Sequence, residues 1–320
     1  MNCPACRREE NDRIEEIPVE TIWRSYEKEL GLRLPKELQK RHTVSEFITL
    51  FECRYCHVQY FYPVVPGDSE FYQALSEAPG GQYEKERWEF GLVANELSAG
   101  KHVLDLGAGP GWFLEMARAR GCKVSAVDHN PVAAASLEGK SIDTYESIAS
   151  YQAEDRGDPL DVVCAFHLTE HVADVGGLFR EVRALLMPGG SFYVSVPNKA
   201  RANRVSLEPL DVPPHHLTRW SADALRLQAQ IHDFDLDYIK FEPPEAGGVR
   251  LGIRKRAHTS LRRVLPDTAA WLGARMLGRL MSSDAIVSFV RSSDRFERMR
   301  LCGHSMLARY RRTHTTDRKA

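Results

Sequence analysis

Four cysteines stand as two close pairs, Cys3-Pro4-Ala5-Cys6 and Cys53-Arg54-Tyr55-Cys56, separated by 46 residues. Paired thiolates of this kind form two knuckles that can close one tetrahedral metal site, and zinc is the ion that favours such a donor set. A site with four thiolates keeps no open position, which makes its role structural or substrate-docking. A redox-active or vacant dithiol is the competing reading of either pair. His57, beside Cys56, is the poorer ligand because the thiolates already suffice. A second group of interest is the run Asp105-Leu106-Gly107-Ala108-Gly109-Pro110-Gly111-Trp112. Glycines this dense permit unusual backbone angles and let a ligand approach the main chain. The third is histidine: His167 and His171, then Pro213-Pro214-His215-His216-Leu217-Thr218-Arg219-Trp220. An imidazole titrates near neutrality and suits general-base work. His171 reads equally as a hydrogen-bonded framework residue, and Arg219 as a solvated charge or a clamp on an anionic group. His215 and His216 read as exposed, with no packing reason to be there.

The elements that must carry these groups alternate. His102–Leu106 is a short apolar run that hands over to the glycines, and Trp112–Arg120 has helical spacing. Lys123–Val127 is β-branched, and Pro131–Leu137 can start a helix capped by Asn130. Leu160–Phe166, Ser191–Val196 and Leu236–Phe241 read as strands, with a helix over Val175–Leu186 ending at Met187-Pro188-Gly189-Gly190. A further helix is expected over Tyr83–Leu97, and Ser221 can cap another over Ala222–Gln230. Strands alternating with helices predict an α/β fold with a doubly wound, mostly parallel sheet. In such folds ligands collect at the carboxyl edge of the sheet, where the glycine loop, His167 and His171 fall. A dinucleotide fingerprint would place its third glycine at position 112, which is tryptophan here.

The Asp-x-Gly-x-Gly-x-Gly pattern instead resembles the first motif of class I S-adenosylmethionine-dependent methyltransferases. Asp128, closing the next strand, resembles the acid that this family places against the ribose hydroxyls. Asp161–Val172, with its Glu170-His171-Val172 ending, resembles the fourth strand and its continuation, and Leu185–Gly190 with Val196-Pro197-Asn198 the segment after it. Gly303–Tyr310 resembles the final antiparallel strand. The resemblance covers roughly 83–245 and 301–312. It implies a Rossmann-like seven-stranded sheet with the last strand antiparallel, and a cofactor, S-adenosyl-L-methionine. It assigns Asp105, Gly107, Gly109 and Gly111 to the methionine end and Asp128 to the ribose; the adenine contact falls in Tyr145-Glu146-Ser147 without the side chain being fixed, and Glu146 and His167 are the candidates for the rest of the cofactor site. His171, His215 and His216 become the candidates for a catalytic base. The cysteine pairs resemble a split zinc ribbon, here with a helical insertion between the knuckles. The organisation expected is a zinc-ribbon-like module at 1–66, a methyltransferase domain at 67–249 and 301–312, a basic helical insertion at 250–300, and a tail at 313–320.

Composition narrows the function. The 320 residues carry 43 basic and 44 acidic side chains, a balance that speaks against a dedicated nucleic-acid binder, and no DNA partner is expected. No apolar run is long enough for a transmembrane helix and the first residues do not read as a signal peptide. Seven cysteines without a secretory address point to reduced thiols and a cytoplasmic protein. Residues 250–300 hold twelve Arg/Lys against four Asp/Glu, a local net charge of +8. That segment reads either as a helical cover with solvated arginines or as a contact for anionic lipid or a phosphate-bearing substrate, which would place the protein at a membrane periphery. A methyltransferase acting on a small molecule such as a sugar, glycan precursor or quinone is the leading expectation. An RNA-directed methyltransferase or RNA-binding protein, using the ribbon and the basic segment, is the alternative from another class, and a non-catalytic scaffold is the third.

Overall fold

The computed structural model describes residues 1–78, 87–154, 159–201, 207–243 and 303–313, together with Ala269, Trp271, Leu272 and Met276. The chain forms two compact units, one of residues 1–196, 207–239 and 307–320, the other of 197–206 and 240–306. Both sheets lie chiefly in the first.

The N-terminal part runs β1 (Asn11–Pro18), α1 (Val19–Leu30), α2 (Lys36–Arg41), β2 (Phe47–Cys53), β3 (Gln59–Tyr62) and α3 (Ser69–Glu77). The insertion between the cysteine pairs is therefore not purely helical: its two ends pair as antiparallel strands, Asn11 opposite Cys53 and Pro18 opposite Phe47. The reason escapes simple patterning because β1 is an edge strand whose Arg and Glu side chains face solvent. Its sheet has the order β1-β2-β3-β9, and the fourth strand, β9 (Thr218–Arg219), comes from far along the chain. The N-terminal module thus does not end at residue 66. Its core of Ile22, Tyr26, Leu38, Ile48 and Phe61 is completed by Phe71 and Leu75 of α3 and by Val212.

The larger sheet collects β4 (His102–Leu106), β5 (Lys123–Val127), β6 (Asp143–Tyr145), β7 (Leu160–Phe166), β8 (Leu186–Pro197), β10 (Phe234–Phe241) and β11 (Ser305–Arg312). Their order is β10-β11-β8-β7-β4-β5-β6, with β4 to β8 parallel, as the alternation predicts. β11 runs antiparallel to β10: the Glu242 amide donates to the Ser305 carbonyl (3.0 Å) at one end, and the Thr313 hydroxyl donates to the Asp233 carbonyl (3.0 Å) at the other. Helices α4 (Trp88–Glu96), α5 (Trp112–Ala119), α6 (Pro131–Gly139), α7 (Ile148–Glu154), α8 (Val175–Leu185) and α9 (Ala222–Ile231) connect and cover the strands. Several start where the sequence predicts: Asn130 accepts from the Val132 amide and Ser221 from the Ala224 amide.

Three boundaries differ from the expectation. α4 begins at Trp88, and residues 79–86 lie outside those described. β8 begins at Leu186, not Ser191, because Leu186 already pairs with Leu160 and a register shift absorbs Met187–Gly190. β10 begins at Phe234, whose buried ring packs beside Phe192 and Tyr310. Among the described residues no helix is long and apolar enough to cross a membrane. Of 250–300 only Ala269, Trp271, Leu272 and Met276 are described, all helical and exposed, so the basic-segment readings fall outside the described residues.

Candidate active site

The glycine loop sits at the carboxyl end of β4. Gly107, Gly109 and Gly111 all take positive φ, at 69°, 53° and 80°. At Gly111 a Cβ would lie 2.5 Å from Leu137 Cδ2, so glycine is required both by conformation and by the close approach of α6. At Gly109 a Cβ would meet nothing within 4 Å: the backbone there faces open space, where a ligand could come against it.

Two carboxylates flank this loop. Asp105, on the all-buried strand β4, leaves Oδ1 buried without a hydrogen-bond partner. Burial, and then the neighbouring Asp128 carboxylate, hold its carboxyl well above the usual range. A buried acceptor in this condition is one that a cationic ligand group would satisfy. Asp128 is already organised: Oδ2 accepts from the Gly109 amide (2.8 Å) and Oδ1 from the Asn130 amide (2.8 Å). Each oxygen keeps a second lone pair, so the carboxylate can still accept from two hydroxyls. Glu146 lies exposed just past β6.

Beyond the end of β7 lies a buried network of histidines and acids. His167, at φ 50°, places Nε2 3.2 Å from Glu89 Oε1 and Nδ1 3.3 Å from Glu170 Oε1. Burial disfavours its charge, but the Glu170 and then the Glu89 carboxylate beside the ring outweigh it and push His167 up to about 9. Burial likewise works against the Glu170 charge, yet His167 pulls that carboxyl down to about 2. Both ring nitrogens of His167 are thus committed to an ionic framework on the Glu89 and Glu170 side chains.

His171, His215 and His216 pack against one another with ring centroids 4.5–4.9 Å apart. His171 Nδ1 lies 2.6 Å from the His215 carbonyl, which can only accept, so this nitrogen carries the proton and Nε2 holds the free lone pair. The Tyr72 hydroxyl stands 3.1 Å from the same Nδ1. His215 Nδ1 is buried with no hydrogen-bond partner. His216 turns Nδ1 toward Asp211 (3.5 Å) and Nε2 toward Glu170 (4.0 Å). Burial above all lowers His171 to about 4 and His215 well below its ordinary value, keeping both rings neutral at neutral pH. The pair 215–216 is therefore not exposed, as the sequence suggests: the rings fill space between α3, Glu170 and Asp211. Arg219 is likewise buried, its Nε donating to the Asp211 carbonyl at 3.0 Å.

The cysteine pairs also come together. Cys3 Sγ lies 3.5 Å from Cys56 Sγ and Cys6 Sγ 3.5 Å from Cys53 Sγ, with all four sulfurs within 4.8 Å of one another. Four sulfurs around an ion at Zn–S distances of about 2.3 Å would be spaced at roughly 3.7 Å, so this set fits a tetrahedral ion with little adjustment. Each knuckle ends in a left-handed residue, Arg7 and His57, and His57 Nδ1 lies 3.6 Å from Glu52 Oε1, outside the four-sulfur group. The first knuckle docks on α8, where the Gly176 amide donates to the Pro4 carbonyl (2.9 Å) and a Cβ at Gly176 would strike the Ala5 carbonyl at 2.7 Å. The second leads into β3, whose Gln59 and Tyr60 pair with Arg219 and Thr218. The Leu217 amide donates to the Glu170 carbonyl at 2.7 Å and its carbonyl accepts from Phe61. The thiol cluster and its sheet thereby hold the His215–His216 turn against Glu170.

Sequence reasoning missed Tyr72, Glu89 and Asp211. Nothing in their local pattern marks them: Glu89 reads as an ordinary acid in the first turn of α4, and only the tertiary fold turns it inward to His167.

A seven-stranded sheet of this order, with a glycine loop and acid at adjacent strand ends, defines the class I S-adenosylmethionine-dependent methyltransferase class of fold. Residues 84–239, just under half of the chain, match the family described as "Methyltransferase domain". The chain is similar to the ubiquinone biosynthesis O-methyltransferase of Pseudomonas aeruginosa, 35% identical over 107 residues, which are 32% of this chain and 46% of that protein. It is similar to the protein of the same name from Aeromonas salmonicida at 31% identity, over 31% of this chain and 44% of that one. The chain thus spans less than half the length of these curated relatives. Among solved structures, phosphoethanolamine N-methyltransferase 2 of Haemonchus contortus is 15% identical at a TM-score of 0.48, covering 77% of this chain and 58% of that one.

Proposed function

We propose that the protein transfers the methyl group of S-adenosylmethionine to a small-molecule acceptor. The observation that carries this reading is the buried Asp105 carboxyl, whose Oδ1 has no hydrogen-bond partner, beside a glycine loop whose Gly109 faces open space, with Asp128 preorganised by two backbone amides. Asp105 would take the ammonium of the methionine end and Asp128 the ribose hydroxyls. When bound, the cofactor supplies a methyl carbon on a positively charged sulfur, open to in-line attack. The chain's own part is then to orient and desolvate the acceptor and to take its proton. His215 is the proton acceptor on this reading, through the Nδ1 that has no partner in the folded chain. His171 and Tyr72 fix the backbone of that turn through the His215 carbonyl. The cationic His167, buried between Glu89 and Glu170, holds the segment after β7 rigid. A single zinc on Cys3, Cys6, Cys53 and Cys56 completes the reading as a structural ion, since four thiolates leave no position for a substrate.

The fraction of the acceptor's chemistry supported by the similar proteins is coarse: a small molecule, with oxygen the atom modified by the curated relatives named above. Incubating the full chain with labelled cofactor and a panel of phenols, sugars and amines, followed by mass spectrometry, tests it. A labelled product that disappears with His215→Ala is expected; labelled RNA from the same extract with no labelled small molecule would overturn it.

A further inference from the structure

The histidine cluster has the makings of a second metal site. One ring nitrogen from each of His171, His215 and His216 lies within 4.8 Å of the other two; around one ion at about 2.1 Å three imidazole nitrogens stand roughly 3.4 Å apart, so the rings, with His215 and His216 now stacked, would turn and draw together on binding. The protonation pattern is already the one a metal requires. His171 donates Nδ1–H to the His215 carbonyl and so presents a bare Nε2. His215 Nδ1 is buried and unpartnered, a cost that a coordinated ion would remove. His216 directs its Nδ1 toward the Asp211 carboxylate, the carboxylate–histidine arrangement that orients and strengthens imidazole ligands in metal proteins. The Glu170 carboxylate stands 4.0 Å from His216 Nε2, so the surroundings carry negative charge suited to a cation.

We infer that His171, His215 and His216 bind one divalent transition-metal ion of the zinc, cobalt or nickel class, with a coordination position left for an oxygen or nitrogen of the acceptor. Neutral imidazoles select these ions over magnesium or calcium, which prefer oxygen. Three protein ligands, in contrast with the four at the cysteine cluster, leave the fourth position of a tetrahedral ion open. The inference rests on the proposed reaction for what occupies that position, and with the ion bound His215 Nδ1 is a ligand and no longer the proton acceptor; binding of the ion itself rests on the placement of the three rings.

The test uses full-length protein whose cysteine site is first saturated with zinc, titrated with cobalt(II) and followed by calorimetry and visible absorption. A second equivalent should bind and give a ligand-field spectrum without the sulfur-to-cobalt charge-transfer bands of thiolate ligation. His171→Gln and His215→Ala should each weaken it by at least about tenfold while S-adenosylhomocysteine affinity stays unchanged, which shows that the fold survives. Absence of a second equivalent in the unmodified protein overturns the inference, and so does a second ion insensitive to both substitutions. If the second ion fails to bind while methyl transfer proceeds, the proposed reaction stands with His215 as base. If the ion binds but no cofactor does, the reaction falls and the metal site remains.

Discussion

Two clusters of metal-type donors lie among the described residues, and they are built in opposite ways. The cysteine cluster is local in design: each pair is a short knuckle fixed by its own backbone hydrogen bonds, Arg7 to Cys3 and His57 to Cys53. The histidine cluster is assembled at a distance, from α3 (Tyr72), the segment after β7 (Glu170, His171) and the 211–216 turn. The first is closed by four sulfurs; the second has three imidazoles, one carrying an unpartnered nitrogen. A closed local cluster can nucleate structure, whereas an open one assembled from remote segments needs a scaffold to exist. Here the scaffold is the first cluster's own sheet, since β3 pairs with β9 directly after His216.

The sharpest way to break that dependence is Cys53→Ser. Metal binding by structural thiolate sites carries on the order of 10 kcal/mol of folding free energy, so with the proposed zinc bound the substitution should release it and open the β1-β2-β3-β9 sheet. Elemental analysis and amide exchange would show it, and exchange should rise at 215–219 as well as at 47–62. Protection kept at 215–219 after loss of the ion would separate the two clusters. His215→Ala should act the other way, with metal at the cysteines retained and methyl transfer slowed by roughly 10²–10⁴-fold, the usual contribution of a positioned proton-transfer group. Next in size, Asp128→Ala should weaken cofactor binding by about 1.5–3 kcal/mol for each charge-assisted hydrogen bond lost, read by calorimetry, and leave both clusters intact.

How much of this was legible depends on whether the signal was local. The strands β4, β5 and β7 are apolar runs with turn residues at their ends, and the cap residues Asn130 and Ser221 act where their types predict. The cysteine pairs and the glycine loop are contiguous motifs. By contrast β1 is a charged edge strand, β9 is two residues long, and Glu89 is a helix-start acid in sequence. Each acquires its role from a partner more than 40 residues away: Cys53 for Asn11, Gln59 for Arg219, and His167 for Glu89. The His215–His216 turn misled for the same reason, because Tyr72 and Glu170, which help bury it, are remote in sequence, and only Asp211 is near.

Smaller effects refine the comparison. His167 is raised from 6.5 to about 9 in the folded chain, so its ionic framework stabilises fully below pH 6.5 and loses that contribution as pH rises through 9. Denaturant unfolding at neutral and at alkaline pH should show the decline, and Glu89→Gln should flatten it. An unchanged slope in that variant would remove Glu89 from the framework. Smallest of all, His57→Ala should leave metal content at the cysteine cluster unchanged and stability within about 0.5 kcal/mol, because its ring is turned toward Glu52.

The central claim is that the loop from Asp105 to Gly111, with Asp128, is a site for S-adenosylmethionine. Isothermal titration of the full chain with S-adenosylhomocysteine, alongside Asp105→Ala and Gly109→Arg, tests it most directly. The account predicts one binding event per chain in the unmodified protein, weakened by Asp105→Ala and abolished by Gly109→Arg. Absence of heat with the unmodified protein, in a preparation that does bind a nicotinamide dinucleotide, would contradict it.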